Sequence, residues 1–261
     1  MKPGTGRVYL VGAGPGAPDL ITVRAAQLLA RANIVFHDAL VHPDTVALAV
    51  NAETVAVGKR CGKHSTAQRF INKRLIDAAA RFDTVVRLKG GDPMLFGRAQ
   101  EEIDALRCAG VEVEVVPGVT AALAASAELG VALTRRGTSR SVTFVTPRVG
   151  DGEQAGDWTQ CVINADCAAL YMAAGQAREI AVRLIASGMR TDTPVVVVED
   201  ASLPTMTRTV LPLGRLGRAG TLALRGPAMI LLGEVFRDVV AAVWPDSSMT
   251  SHEPLPEALS A

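Results

Sequence analysis

The residues of this chain whose types and spacing suit chemistry are two glycine-rich stretches, one lone acid and a short basic loop. Gly90-Gly91-Asp92-Pro93 sets two residues without a Cβ side by side, so that main chain can approach a bound molecule closely. Asp92 precedes a proline, which biases its backbone toward an extended conformation. Gly12-Ala13-Gly14-Pro15-Gly16-Ala17 satisfies G-x-G-x-x-G/A, the spacing that seats a pyrophosphate on a helix N-terminus. Asp38 then stands where a dinucleotide fold holds a ribose. Pro15 and Pro18 oppose that reading, because each removes an N–H donor where a pyrophosphate needs one. Lys59, Arg60 and Lys63, between Gly58 and His64, form a basic loop whose plain alternative is a solvated turn. A carboxylate such as Asp38 opposite that loop is suited to acid–base work in a desolvated site; the alternative is that the pair only positions a substrate.

These residues need strands and helices to hold them. Arg7–Val11 predicts a short strand that feeds the first glycine loop. A helix from about Thr22 to Arg31 and a strand Ile34–His37, ending at Asp38, follow. Glu53–Val57 predicts a third strand, and the apolar spacing of Phe70, Ile71, Leu75, Ala78 and Ala79 predicts a helix over Thr66–Phe82. The β-branched run Thr84–Arg87 reads as a buried strand stopped by Gly90-Gly91-Asp92-Pro93, with a helix over Gly97–Ala109 closed by Gly110. Val111–Val116 predicts a strand that turns at Pro117-Gly118 into a helix of small residues. Thr120 there offers either a hydroxyl to a ligand or an N-cap. Strand–helix alternation to about Leu133 predicts a parallel α/β domain. Thr134–Arg140 reads as a polar connector. Beyond it, strands over Ser141–Thr146, Ala168–Met172, Pro194–Val198 and Ala228–Val235 predict a second α/β domain, with a helix over Gln176–Ser187 and a hairpin edge over Thr205–Val210. The domains expected are 1–134 and 135–245, with a disordered tail at 246–261 that is rich in Pro, Ser and Glu.

The chain has 261 residues, with 49% apolar and 20% charged, ample for a buried core. Aromatic residues make up only 4% and the net charge is +1, which argues against a nucleic-acid partner. The four cysteines, Cys61, Cys108, Cys161 and Cys167, show no C-x-x-C spacing and suggest neither a metal site nor a disulfide framework. They are expected to be reduced and mostly buried. No apolar run reaches membrane-spanning length and the N-terminus lacks a signal-peptide pattern, so a cytoplasmic protein is expected.

Taken together and in order, Val11-Gly12-Ala13-Gly14-Pro15-Gly16, Val57-Gly58-Lys59-Arg60, Leu88-Lys89-Gly90-Gly91-Asp92-Pro93, Phe96-Gly97-Arg98 and Val116-Pro117-Gly118-Val119-Thr120-Ala121 resemble the tetrapyrrole C-methylases that use S-adenosylmethionine. The resemblance covers about residues 7 to 240. It implies two α/β domains, the first with a mainly parallel sheet and the second with a mixed one, a methyl-donor cleft between them, and a homodimer. The implied reaction moves methyl groups from S-adenosylmethionine to pyrrole carbons of uroporphyrinogen III, giving precorrin-2 by way of precorrin-1. The same resemblance leaves room for a later precorrin C-methyltransferase, and the Gly12–Ala17 loop for a nicotinamide-dependent oxidoreductase.

By that resemblance Pro15, Gly90, Gly91, Asp92, Leu95, Thr120, Ala121, Met172, Ala201 and Ala228 would hold the donor, without a metal. Arg98, Glu101 and Arg136 would contact the substrate, an octacarboxylate that arginine forks suit. Asp38 and Lys59 match the proton acceptor and proton donor. His37 replaces a tyrosine usual in relatives, Ala17 an aspartate, Ala99-Gln100 a Gly-Gly pair, and Pro147-Arg148 a Gly-His pair.

Overall fold

A computed structural model describes residues 6–57, 64–150, 156–218 and 222–245, with backbone alone for 64–67. The expected tail and the basic loop with Lys59, Arg60 and Lys63 lie outside the described residues. In chain order the elements are β1 (Arg7–Gly12), α1 (Val23–Arg31), β2 (Ile34–His37), α2 (Pro43–Ala47), β3 (Glu53–Ala56), α3 (His64–Ala79), β4 (Thr84–Lys89), α4 (Ala99–Cys108), β5 (Glu112–Val116) and α5 (Ala121–Leu129). Then come β6 (Val142–Val145), α6 (Trp158–Ile163), β7 (Cys167–Leu170), α7 (Ala177–Ala186), β8 (Pro194–Glu199), β9 (Thr207–Pro212), α8 (Leu213–Leu216), β10 (Ala228–Gly233) and α9 (Arg237–Ala241).

The described residues of Met1–Gly130, Arg148–Gly156 and Glu199–Thr207 form one compact unit. Its sheet has the order β3-β2-β4-β1-β5, and its pairings are parallel. Side chains alternate across such strands, so each face carries its own core. Tyr9, Val11, Val35, Val86 and Leu88 point to one face, where Ala25, Leu28 and Leu29 of α1 cover them. Val8, Leu10, Ile34, Phe36 and Val85 point to the other, under Ile71 and Leu75 of α3 and Ile103 and Leu106 of α4. Burying each such leucine or isoleucine stabilises the fold by about 1.5–3 kcal/mol. The chain leaves β1 across one face toward β2 and leaves β4 across the opposite face toward β5. Those neighbouring strands therefore part company at their carboxyl ends, which is where open parallel sheets bind ligands.

Register puts the candidate residues at that edge. Gly12 lies level with Lys89, Val11 with Val116, and His37 with Leu88. The segments that follow, Gly12–Ala17, Asp38, Gly90–Pro93 and Pro117–Gly118, thus leave the sheet at one level.

The second unit comprises the described residues of Val131–Pro147, Asp157–Val198 and Arg208–Ala261. Its sheet has the order β6-β7-β10-β8-β9, with β6 and β7 parallel and β7 and β10 antiparallel. It is mixed, as expected. Leu170, Val195, Val197, Ile230 and Leu232 pack with Ile180 and Leu184 of α7 in its core. Trp244 closes the described end, its Nε1 donating to the Val210 carbonyl at 2.7 Å.

Three expectations need correction. Strand β7 stops at Leu170 rather than Met172, because Met172 takes φ +54 and turns the chain out of the sheet. Helix α4 starts at Ala99, since Arg98 also lies at φ +54, outside helical space. Cys108 and Cys161 are exposed and only Cys167 is buried among the described cysteines, so the thiols are not mostly internal. Burial pushes the Cys167 thiol up to about 11.

Candidate functional site

Glycines let the edge loops cross. A Cβ on Gly118 would lie 2.4 Å from the Gly91 carbonyl oxygen and 2.8 Å from the Gly12 Cα, and one on Gly12 would lie 2.6 Å from the Gly118 Cα. Such contacts are shorter than side chains tolerate, so the loops after β1, β4 and β5 meet main chain on main chain. Hydrogen bonds then lock them. Gly91 N–H donates to the Gly14 carbonyl at 2.7 Å, Gly14 N–H to the Gly91 carbonyl at 3.3 Å, and Ala13 N–H to the Lys89 carbonyl at 2.7 Å. Asp92 holds the third loop with its side chain: Oδ2 accepts from the Gly118 N–H at 3.0 Å and Oδ1 from the Met94 N–H at 2.8 Å. Gly91 takes φ +66, a conformation that glycine adopts without strain.

The same knot carries Pro15 and Ala201. The Ala17 N–H donates to Ser202 Oγ at 3.0 Å, and a Cβ on Gly16 would meet the Leu203 side chain at 3.0 Å and the Ala201 carbonyl at 3.3 Å. Thr120 sits at the N-cap position of α5 without a side-chain capping bond, so the plain capping role does not hold. Ala121 opens that helix, half-buried, and Leu95 is half-buried in the turn closed by its N–H on the Asp92 carbonyl at 3.3 Å. The dinucleotide reading fails on two counts. Two of the loop's amides are spent on Lys89 and Gly91, and the next α-helix begins only at Val23 after a 3-10 turn over Pro18–Leu20.

Asp38 leads inward to a buried ionic cluster that the sequence reading did not single out. Arg87 and Lys89, alternate residues of β4, face α4 rather than α1. Arg87 Nη2 donates to Asp38 Oδ1 at 2.5 Å and its Nε to Glu102 Oε1 at 3.0 Å. Lys89 Nζ reaches Glu102 Oε2 at 3.2 Å, and Gln68 Nε2 donates to Glu102 Oε1 at 3.1 Å. The side chains of Arg87, Lys89 and Glu102 are 3%, 4% and 0% exposed, against 29% for Asp38. Burial works against the Arg87 charge, but Asp38 and Glu102 outweigh it and hold the guanidinium above its ordinary range. Burial first, then repulsion from Arg87, pushes the Lys89 ammonium below its ordinary value despite Glu102 and Asp38. A signal existed in the sequence. Ala99, Glu102, Ile103 and Leu106 form the inward stripe of α4, and an acid in such a stripe needs a buried partner.

Arg98 and Glu101 are exposed at the start of α4 and bind one another, Nε to Oε1 at 2.7 Å and Nη2 to Oε2 at 2.8 Å. The Arg98 hydrogen bond holds the Glu101 carboxyl below the usual carboxylate range. Met172, Arg136 and Ala228 belong to the second unit. Met172 is 47% exposed at its left-handed turn, Arg136 is exposed in the turn closed by the Arg135–Ser139 bridge, and half-buried Ala228 opens β10. Among the described residues the non-glycine residues with positive φ are Phe96, Arg98, Met172, Asp200 and Ser202, each in or beside a stretch expected to carry function. Strain of that kind gathers at ligand-holding loops.

A sulfonium nucleoside needs main chain that it can approach closely, with no side chain in the way. Among the described residues a Cβ on Gly90 would meet only Leu40 Cβ at 3.6 Å, and one on Gly91 only Thr120 Cα at 3.9 Å. Unlike Gly12 and Gly118, these two glycines have little beside them among the described residues, so the loop fits such a donor. Among the described residues no cluster of His, Cys, Asp and Glu is placed to hold a metal ion.

With this geometry in view, comparison with known proteins is decisive. The tetrapyrrole (corrin/porphyrin) methylase family model matches residues 7–217. The chain belongs to that family. A uroporphyrinogen-III C-methyltransferase of Pseudomonas aeruginosa is 42% identical to this tetrapyrrole methylase over 238 residues, covering 91% of the chain and 97% of the relative. A sirohaem synthase of Klebsiella pneumoniae is 42% identical over 235 residues, 88% of the chain but 49% of the relative. The chain thus spans about half the length of that longer protein. The crystal structure of uroporphyrin-III C-methyltransferase from Thermus thermophilus, complexed with S-adenyl homocysteine, superposes with a TM-score of 0.77 at 40% identity, covering 89% of this chain and all of that one.

Proposed function

We propose that this tetrapyrrole methylase transfers methyl groups from S-adenosyl-L-methionine to pyrrole carbons of uroporphyrinogen III, giving precorrin-2 by way of precorrin-1 for sirohaem or cobalamin synthesis. The observation that carries this reading is the Gly12–Gly91–Gly118 crossing, which sets Gly90 and Gly91, without side chains and with space beside them, at the switch point of the parallel sheet. Bound S-adenosylmethionine supplies an electrophilic methyl group on a positive sulfur.

The chain's own residues do the rest. Gly90, Gly91, Asp92, Pro15, Leu95, Thr120, Ala121 and Ala201 hold the donor from the first unit, and Met172 and Ala228 from the second. Asp92 acts mainly through its carboxylate, which fixes the spacing of the loops. Arg98, Glu101 and Arg136 receive the substrate: a propionate or acetate arm displaces Glu101 from the Arg98 fork, exchanging one carboxylate for another. Asp38, oriented by Arg87, takes the one net proton that the ring loses for each methyl group it gains. Lys59 as proton donor supplies a proton at one ring atom while another ring atom gives one up, a tautomerisation that leaves that net loss unchanged. Holding donor and ring carbon in attack geometry is the larger contribution, since an electron-rich pyrrole needs modest base assistance. On this reading the halves of the donor cleft are 1–134 and 135–245, except that Ala201 lies in the Glu199–Thr207 stretch that packs with the first unit. By the same family reading the protein works as a cytoplasmic homodimer. Among the described residues no helix is long and apolar enough to cross a membrane.

Incubation with uroporphyrinogen III and methyl-labelled donor tests the reading: label in a chlorin-like product supports it. Donor binding without labelled product would direct attention to later precorrins as substrates.

A further inference from the structure

Glu102 touches no group expected to meet donor or substrate, yet it is the hub of the buried cluster. Its Oε1 accepts from Arg87, Lys89 and Gln68 at 3.0, 3.3 and 3.1 Å, and its Oε2 from Lys89 at 3.2 Å. Arg87 is in turn held at three nitrogens: Nε by Glu102, Nη1 by the Leu88 carbonyl at 3.2 Å, and Nη2 by Asp38. A guanidinium fixed at both ends and the middle cannot swing, so Asp38 inherits its orientation from α4. Burying charges this deeply does not favour stability by itself, because apolar residues of similar volume serve a core at least as well. Only one member of the cluster reaches solvent, Asp38 at the carboxyl end of β2.

We infer that Glu102 is a positioning residue which, through Arg87, fixes the Asp38 carboxylate in the orientation that accepts the ring proton. The inference rests on the reading of Asp38 given above. Gln68 extends the hub to α3, the helix that follows the loop carrying Lys59.

A double-mutant cycle on the full chain, with turnover of uroporphyrinogen III, tests it. Glu102→Gln keeps shape and removes charge. It should lower kcat about 10- to 100-fold, as loss of an orienting outer partner does, with donor affinity and substrate KM within threefold of wild type. In an Asp38→Asn background the same change should cost less than threefold, because the group it positions is already gone. Equal losses in both backgrounds would mean a structural role only and would overturn the inference, as would wild-type kcat in Glu102→Gln. If Glu102→Gln does not fold, Arg87→Lys, which keeps the charge but cannot bridge Asp38 and Glu102, must show the same non-additivity; additive losses again overturn it. A wild-type protein that does not methylate uroporphyrinogen III would sink the functional reading itself. Normal turnover by Asp38→Asn would remove the acceptor role of Asp38, and the inference with it.

Discussion

The most exacting prediction concerns a single methyl group at Gly118. In Gly118→Ala the new Cβ would lie 2.4 Å from the Gly91 carbonyl oxygen and 2.8 Å from the Gly12 Cα, both main-chain atoms. Neither neighbour is a flexible side-chain end, so the loops must separate by about 0.6 Å or more to relieve the closer contact, an overpacking that costs about 1–3 kcal/mol. For a chain of this size that lowers Tm by about 2–12 °C. The displaced partner is the loop of Gly90, Gly91 and Asp92. If donor binding demands the native spacing, the same free energy weakens S-adenosylhomocysteine binding about 5- to 150-fold by calorimetry. Gly110→Ala is the control. Gly110 takes φ +74 with nothing within 4 Å of a Cβ, so alanine there should cost about 1–2 kcal/mol of stability by backbone strain while donor affinity stays at the wild-type value. A Gly118→Ala protein that melts early yet binds S-adenosylhomocysteine within twofold of wild type would refute the link between the crossing and the donor loop.

Asp92→Ala strands the Gly118 and Met94 amides and should weaken donor binding at least tenfold; Asp92→Asn, keeping an acceptor oxygen, should lie between, and equal affinities in calorimetry would contradict this. Arg98→Ala should raise the KM for uroporphyrinogen III about tenfold or more with donor affinity unchanged, and a normal KM would exclude the role. The same substitution should raise the Glu101 pKa in an NMR titration. Arg98 lowers that value in the folded state, so the pair's contribution is present above the ordinary carboxylate range and fades as pH falls through the lowered one. Because Cys167 is buried with its pKa pushed up to about 11, iodoacetamide at pH 8 should label Cys108 and Cys161 well before Cys167; mass spectrometry reads the order.

Much of the first unit was legible because its signals are local. Continuous apolar runs gave β1, β2 and β4, and Gly110, at φ +74, sits just past the helix it was expected to end. Motif spacing placed Gly12–Gly16, Gly90–Asp92 and Pro117–Gly118 in loops, though not their mutual contact, which depends on strand order and on crossovers to opposite faces. What stayed hidden was non-local. Met172 and Arg98 turn through left-handed backbone that their side chains do not advertise. Asp38 looked like the partner of a basic loop, whereas its carboxylate accepts from Arg87, on a strand 49 positions away. Asp92, expected among the donor-holding residues, uses its side chain to bond a loop 26 residues on. Reading charged residues inside an apolar stripe as demands for buried partners would have exposed Glu102, Arg87 and Lys89.

The most direct test uses S-adenosylmethionine enriched with carbon-13 in its methyl group, turned over with uroporphyrinogen III and the purified full chain, and read by carbon-13 NMR of the product. Two enriched methyl groups bonded to ring carbons, with two equivalents of S-adenosylhomocysteine formed, are predicted. Label on oxygen or nitrogen, or donor bound and recovered intact beside unmethylated substrate, would contradict the account.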